Sequence, residues 1–130
     1  MAITWLNETL VHTFHQEQLN EHGGLTGPGS GSVEASLARP LNLLAYGSPN
    51  ANLARLAASY GFGFARNHCF ADGNKRIALV TMDVFLQLNG FELNSPETEA
   101  VEVLNAVAEG TMTEADLATW VERHQRPLPP

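Results

Sequence analysis

An all-α fold, a compact bundle of about six helices with one buried central helix, follows from three features of this sequence. Apolar residues recur at helical spacing in successive segments, turn signals rich in Gly, Pro, Asn and Ser separate those segments, and residues 74–89 are apolar on almost every side. Little strand is expected, and no internal repeat appears. With 130 residues, 44% of them hydrophobic, the chain has the size of one globular domain able to bury a core without disulfides or metals, so residues 1–130 are read as a single domain.

The first apolar stripe, Leu6, Leu10, Val11, Phe14 and Leu19, predicts a helix within residues 3–19, and EHGG at 21–24 supplies its stop. The next stretch, LTGPGSGS, has no apolar period and is expected to be a loop, flexible enough to serve as a flap. Residues 32–38 suit a short helix ended by Arg39-Pro40, because the residue before a proline is pushed out of helical geometry. Asn50 is the candidate cap of a helix over residues 51–66, striped by Leu53, Leu56, Ala57, Tyr60 and Phe64. Gly61 and Gly63 within it cost helix propensity and suggest that a neighbouring backbone comes close. The central helix, residues 74–89, stops at Gly90, and residues 91–93 form an extended link to a helix over 96–108. Thr113 to Asp116 has the form of a capping box, with Asp for the usual Glu or Gln, and opens a last helix to about His124 before RPLPP frays.

Seven basic residues against fourteen acidic ones, a formal charge of -7, leave no general electrostatic footprint for a nucleic-acid backbone or an anionic membrane. Direct nucleic-acid binding is therefore not expected. The one cysteine, Cys69, cannot close an internal disulfide, and MAITWLNETL lacks the basic and apolar regions of a leader, which points to a reducing cytoplasm. No segment approaches the roughly twenty apolar residues of a membrane span. In this acidic chain the stretch ARNHCFADGNKRIAL, residues 65–79, holds the only lysine and two of the six arginines, beside a histidine and the only cysteine.

A helix N-terminus exposes unpaired N–H groups and the positive end of the helix dipole, so a loop-to-helix junction at Gly73 is a natural anion site. Gly73 lets the backbone turn sharply and lets a phosphate approach; Asn74 can cap the helix or donate its amide to an oxygen. Lys75 and Arg76 in the first turn oppose the dipole, an unfavourable placement unless an anion lies between them. His68 is suited to take a proton from a hydroxyl, and Asp72 offers a hard oxygen ligand for the Mg²⁺ that accompanies a nucleotide polyphosphate. Phe70 is expected to point into the core and anchor the loop. Taken singly, each residue has an ordinary structural use, as a core histidine, a turn aspartate, a cap or a turn glycine. Together they describe transfer of a phosphate-bearing group onto a hydroxyl.

HCFADGNKR, residues 68–76, resembles the HxFx(D/E)GNxR signature of the Fic/Doc family, and within it the death-on-curing (Doc) branch of toxin–antitoxin modules. EHGGL at 21–25, SLARPLN at 36–42, AYG at 45–47, the approach from Ala57 to His68 and FLQLNGFEL at 85–93 resemble Doc-type sequence in the usual order, so the likeness spans nearly the whole chain. It implies the family's helical bundle, with the motif joining two central helices. It also implies a site: His68 as general base, Asp72 on the Mg²⁺ side, and Gly73, Asn74, Lys75 and Arg76 as phosphate cradle, with Arg66 assisting the nucleotide. Fic proteins mostly transfer AMP from ATP and carry a small residue after the Gly-Asn pair, where this chain, like Doc proteins, has Lys75. The resemblance thus implies a kinase that moves the ATP γ-phosphate to a Thr or Ser hydroxyl of a protein, with elongation factor EF-Tu as the target, and arrests translation and growth.

The alternatives on the same scaffold are a Fic-type adenylyltransferase and an idle remnant that only binds an antitoxin. Cys69 stands where many relatives have proline, and the flap is more Gly- and Ser-rich than is usual after HGGL. The inhibitory pattern (S/T)xxxE(G/N) of many Fic proteins is not met, because Asn105 precedes Glu109-Gly110. Restraint is then expected in trans, from a Phd-like antitoxin whose disordered C-terminal segment folds into a groove.

Overall fold

Side-chain caps set where four helices begin in the computed structural model, which describes residues 2–130. Asn7 Oδ1 accepts from Leu10 N at 2.9 Å and opens α1, Glu8–His22. Ser32 does the same for α2, Val33–Asn42, Asn52 for α3, Leu53–Arg66, and Thr113 for α6, Glu114–His124. Between α3 and α6 lie α4, Asn74–Leu88, a strand β1, Phe91–Leu93, and α5, Glu97–Glu109; a strand β2, Gln125–Pro127, follows α6. The all-α expectation holds, with six helices and one two-stranded ribbon among the described residues.

The core forms where α3 packs along α4 and against α6. Leu56, Tyr60 and Phe64 of α3 meet Ile77, Met82, Phe85 and Leu86 of α4 in one apolar cluster, each side chain fully buried. Burial of this kind stabilises by roughly 1.5–3 kcal/mol per large side chain. Buried α4 agrees with its apolar sequence, although Leu79 and Val80 are only half covered and border a groove shared with α5. Gly61 and Gly63 do mark close approaches, but by side chains rather than backbone. Met82's thioether fills the space beside Gly61, and a Cβ on Gly63 would stand 2.6 Å from Arg39 Cδ of α2.

Four boundaries differ from expectation. Residues 3–6 are not helical; they run back over the core, where Leu6 N donates to Tyr60 OH at 3.2 Å and Trp5 stacks on Phe85. The α2 helix passes through Pro40 because tertiary ties outweigh one missing helical bond: Pro40 and Ser36 are buried, and Arg39 is ion-paired with Glu114 of α6. It then relaxes into a π-helical turn, Leu43–Gly47, closed by Ser48 N to Leu43 O at 2.6 Å. The α3 helix starts two residues late, since Asn52 and not Asn50 reaches the free N–H of Arg55, at 2.9 Å. Finally, the RPLPP tail does not fray at its start: β2 pairs antiparallel with β1, Arg126 binding Glu92 at 2.8 Å and Leu128 N reaching Gly90 O at 3.0 Å.

Candidate active site

The α3 helix delivers the chain to the motif and α4 carries it away. Asn67 N still reaches Gly63 O at 2.9 Å, so the last turn of α3 is intact up to the loop. His68 then adopts φ +49°, the only non-glycine residue with positive φ among those described. Such a conformation costs a β-carbon residue about 1–2 kcal/mol, so the surroundings must hold it. Asn74 closes the loop from within. Phe70 N donates to its Oδ1 at 3.0 Å and its Nδ2 donates to Phe70 O at 2.9 Å. That carboxamide is therefore spent on the loop, not on capping α4. Gly73, at φ +80°, is the residue that starts α4, and the first-turn N–H groups receive no side-chain cap.

Phe70 is buried, as expected, and stacks on His15 of α1 with ring centroids 3.8 Å apart and 13° between planes. His15 itself is a site-building residue that sequence reasoning passed over. Its Nε2–H donates to the Asp72 carbonyl at 2.8 Å, fixing the loop just before Gly73. The signal was present as spacing: Val11, His15 and Leu19 form the buried i, i+4, i+8 stripe of α1.

The Gly- and Ser-rich segment is docked on the motif by backbone pairing. Gly29 N donates to Cys69 O at 3.0 Å, Gly31 N to His68 O at 2.9 Å, and Ala71 N to Gly27 O at 3.0 Å, around a Pro28–Phe70 bridge. Side chains are excluded there, because a Cβ on Gly29 would run into the His68 carbonyl and one on Gly31 into the Asn67 carbonyl. The glycine content of the flap thus has a steric cause.

Asp72 is exposed, yet its carboxylate is held. Oδ2 accepts from Leu25 N at 3.3 Å and Oδ1 from Gly73 N at 2.9 Å. Those two N–H groups, with smaller contributions from the charge of Arg76 and from His15, keep its carboxyl below the usual carboxylate range. Beside it opens a cleft of about 430 Å³, lined by Ala65, His68, Ala71, Asp72, Gly73, Asn74, Lys75, Arg76 and Ala108. Six of the seven residues singled out from the sequence thus share one cavity. Arg66 does not line it; its guanidinium lies over the Phe62 ring, 5.4 Å from the centroid, near the C-terminal end of α5 at Gly110.

Among the described residues Arg39, Arg55 and Arg126 are ion-paired, whereas Arg66, Lys75, Arg76 and Arg123 are not. Lys75 Nζ instead donates to Asn105 Oδ1 of α5 at 2.8 Å. Two cations outside any salt bridge at an uncapped helix N-terminus fit a polyphosphate. Among the described residues no group of three His, Cys, Asp or Glu side chains could hold a metal ion by itself. The donor set, one carboxylate held charged beside two cations and a helix N-terminus, fits Mg²⁺ taken up together with nucleotide phosphates.

A family model described as "Fic/DOC family" matches residues 5–86, the segment that contains α1, the flap, the motif loop and nearly all of α4. The chain belongs to the Fic/DOC family. It is also similar to "Protein kinase doc" of Escherichia phage P1, with 32% identity over 111 residues that cover 84% of this chain and 86% of that protein. This Fic/DOC protein accordingly stands with the Doc branch, as its motif suggested. Among the described residues no helix is long and apolar enough to cross a membrane.

Proposed function

We propose that this chain is a Doc-type toxin of a toxin–antitoxin module, a protein kinase that transfers the γ-phosphate of ATP to a Thr or Ser hydroxyl, with elongation factor EF-Tu as the substrate. The observation that carries the reading is the pair Lys75 and Arg76, outside any salt bridge at the N-terminus of α4, in one cavity with His68. Similarity to a protein named as a kinase supports phosphoryl rather than adenylyl transfer, and so does the bulk and charge of Lys75 directly after Gly73-Asn74.

His68 accepts the proton of the target hydroxyl as its oxygen attacks the γ-phosphorus. The new O–P bond forms, the bond to the β–γ bridging oxygen breaks, and ADP carries away the negative charge. The N–H groups of the first turn of α4, Lys75 and Arg76 hold the phosphates and stabilise charge on the transferring group. Asp72, kept anionic by Leu25 N and Gly73 N, is the residue that would hold Mg²⁺. When bound, Mg²⁺ supplies charge neutralisation of the phosphate oxygens.

A second groove, about 680 Å³, runs between the C-terminal part of α1, α4 and α5, floored by Leu79, Val80, Ala100 and Leu104 and flanked by Lys75 and Arg76. We assign it to the antitoxin, a Phd-like partner whose disordered C-terminal segment folds as it docks; the apolar floor suits one amphipathic segment. The chain would act in the cytoplasm, where EF-Tu is found, and its activity would stop translation and growth.

The test is the position of a retained label. The protein is incubated with EF-Tu and ATP carrying label at either the γ- or the α-phosphate. Retention of the γ label alone is expected, and retention of the α label would replace kinase by adenylyltransferase. Expression of wild type beside His68→Ala is expected to give growth arrest only in the former; equal arrest by both would remove catalysis from the explanation.

A further inference from the structure

The left-handed backbone of His68 has to be held against its own preference; the flap binds its carbonyl through Gly31 N, and the side chains of its two sequence neighbours converge on one hydroxyl. Asn67 Nδ2 donates to Ser36 Oγ at 3.1 Å. Cys69 Sγ lies 3.3 Å from the same oxygen, with either atom as the donor. The residues immediately before and after His68 are therefore tied to a single side chain of α2, and Ser36 is completely buried. One hydroxyl can satisfy both, since an oxygen that accepts from Asn67 keeps its proton and a second lone pair for Cys69.

The Cys69 thiol is buried, and burial pushes it up from its ordinary range, so it stays a neutral thiol suited to a hydrogen bond rather than to nucleophilic chemistry. The approach of α2 is in turn set by Gly63 of α3, where a Cβ would crowd Arg39 and meet Ser36 Cβ at 3.6 Å. None of these atoms touches the cleft. Of this group only His68 lines it.

We propose that Ser36 is a positioning residue for His68: it pins Asn67 and Cys69 so that the histidine between them keeps its left-handed backbone and its imidazole faces the cleft. The proposal rests on His68 acting as the base, but its first readout does not. In wild type, relaxation of the His68 backbone amide is expected to match rigid structure, with an order parameter of about 0.85, falling toward roughly 0.6 in Ser36→Ala. In the kinase assay with ATP, Ser36→Ala is expected to lower kcat by roughly 10- to 100-fold while KM for ATP is nearly unchanged, because the phosphate cradle is left in place.

Cys69 separates positioning from plain stability. Cys69→Ser keeps a partner for the Ser36 hydroxyl and Cys69→Ala removes it, whereas a buried alanine suits an apolar neighbourhood better than a buried serine. The expected order is thus opposite in the two measurements: Cys69→Ser retains the higher kcat and the more ordered His68 amide, and Cys69→Ala the higher Tm. If the wild type phosphorylates no protein, the kinase reading fails and the amide relaxation alone decides on Ser36. An unchanged His68 order parameter in folded Ser36→Ala overturns the proposal, as does a Cys69→Ala protein at least as ordered at His68 as Cys69→Ser.

Discussion

Replacing Gly31 by alanine tests whether the flap is held by backbone pairing. The new Cβ would enter the space of the Asn67 carbonyl, which belongs to the end of α3 and cannot retreat, so the flap must lift. Lifting breaks three backbone hydrogen bonds, Gly31 N to His68 O, Gly29 N to Cys69 O and Ala71 N to Gly27 O. At a net contribution of about 1 kcal/mol each, docking is stabilised by about 3 kcal/mol, a factor of roughly 100 in the docked population. Amide hydrogen exchange reads this directly. In Gly31→Ala the protection of the Ala71 and Gly29 amides is expected to fall by roughly 100-fold, while amides of Leu56, Tyr60 and Phe85 in the core keep theirs. Wild-type protection of Ala71 in the variant would show that the flap is held by something other than these bonds.

Two further outcomes follow from the same site. Asp72 has a folded-state pKa below its unfolded value, so its stabilising contacts with Leu25 N and Gly73 N are fully present above the ordinary carboxylate range and are lost as pH falls through the depressed value. The Leu25 amide resonance is expected to shift across that acidic window in wild type and to stay still in Asp72→Asn; the same pH response in both would assign the transition elsewhere. His15→Phe preserves the stack on Phe70 but leaves the Asp72 carbonyl without its donor, which is expected to cost about 1 kcal/mol and to lower Tm by roughly 3–5 °C. Thermal unfolding at neutral pH measures it, and an unchanged Tm would mean that water replaces the imidazole without loss.

What could be read from the sequence was local. An apolar run makes α4 visible, and the candidate site residues from Asp72 to Arg76 are contiguous, so they arrive together whatever the tertiary fold does. The features that escaped are polar residues acting across long separations. His15 serves a carbonyl 57 residues away and Ser36 a thiol 33 residues away, and neither has a local pattern that betrays its partner. The β1–β2 ribbon escaped for a related reason: a segment with three prolines in five residues reads as a tail, and only Glu92, on the link after α4, gives Arg126 something to pair with. Helix α2 shows the converse, a local rule at Arg39-Pro40 overridden by burial and by an ion pair to α6. The unexpected richness of the flap in glycine was a genuine signal, and its cause became visible only once the carbonyls of Asn67 and His68 were seen beside it.

The salt bridges of Glu114 also bear on how the chain is made. This one carboxylate, at the start of α6, is ion-paired with Arg39 of α2 and lies 3.5 Å from Arg55 of α3. A growing chain therefore contains the whole HCFADGNKR motif before it contains the anion that fastens α2, with Ser36 on it, to the helix that feeds the motif. Synthesis is vectorial, and long-range closure waits for its second partner. The tie between α2 and α3 through Glu114 would close only after the start of α6 has left the ribosome, so the loop between α3 and α4 is made well before the contact that fixes α2 beside it.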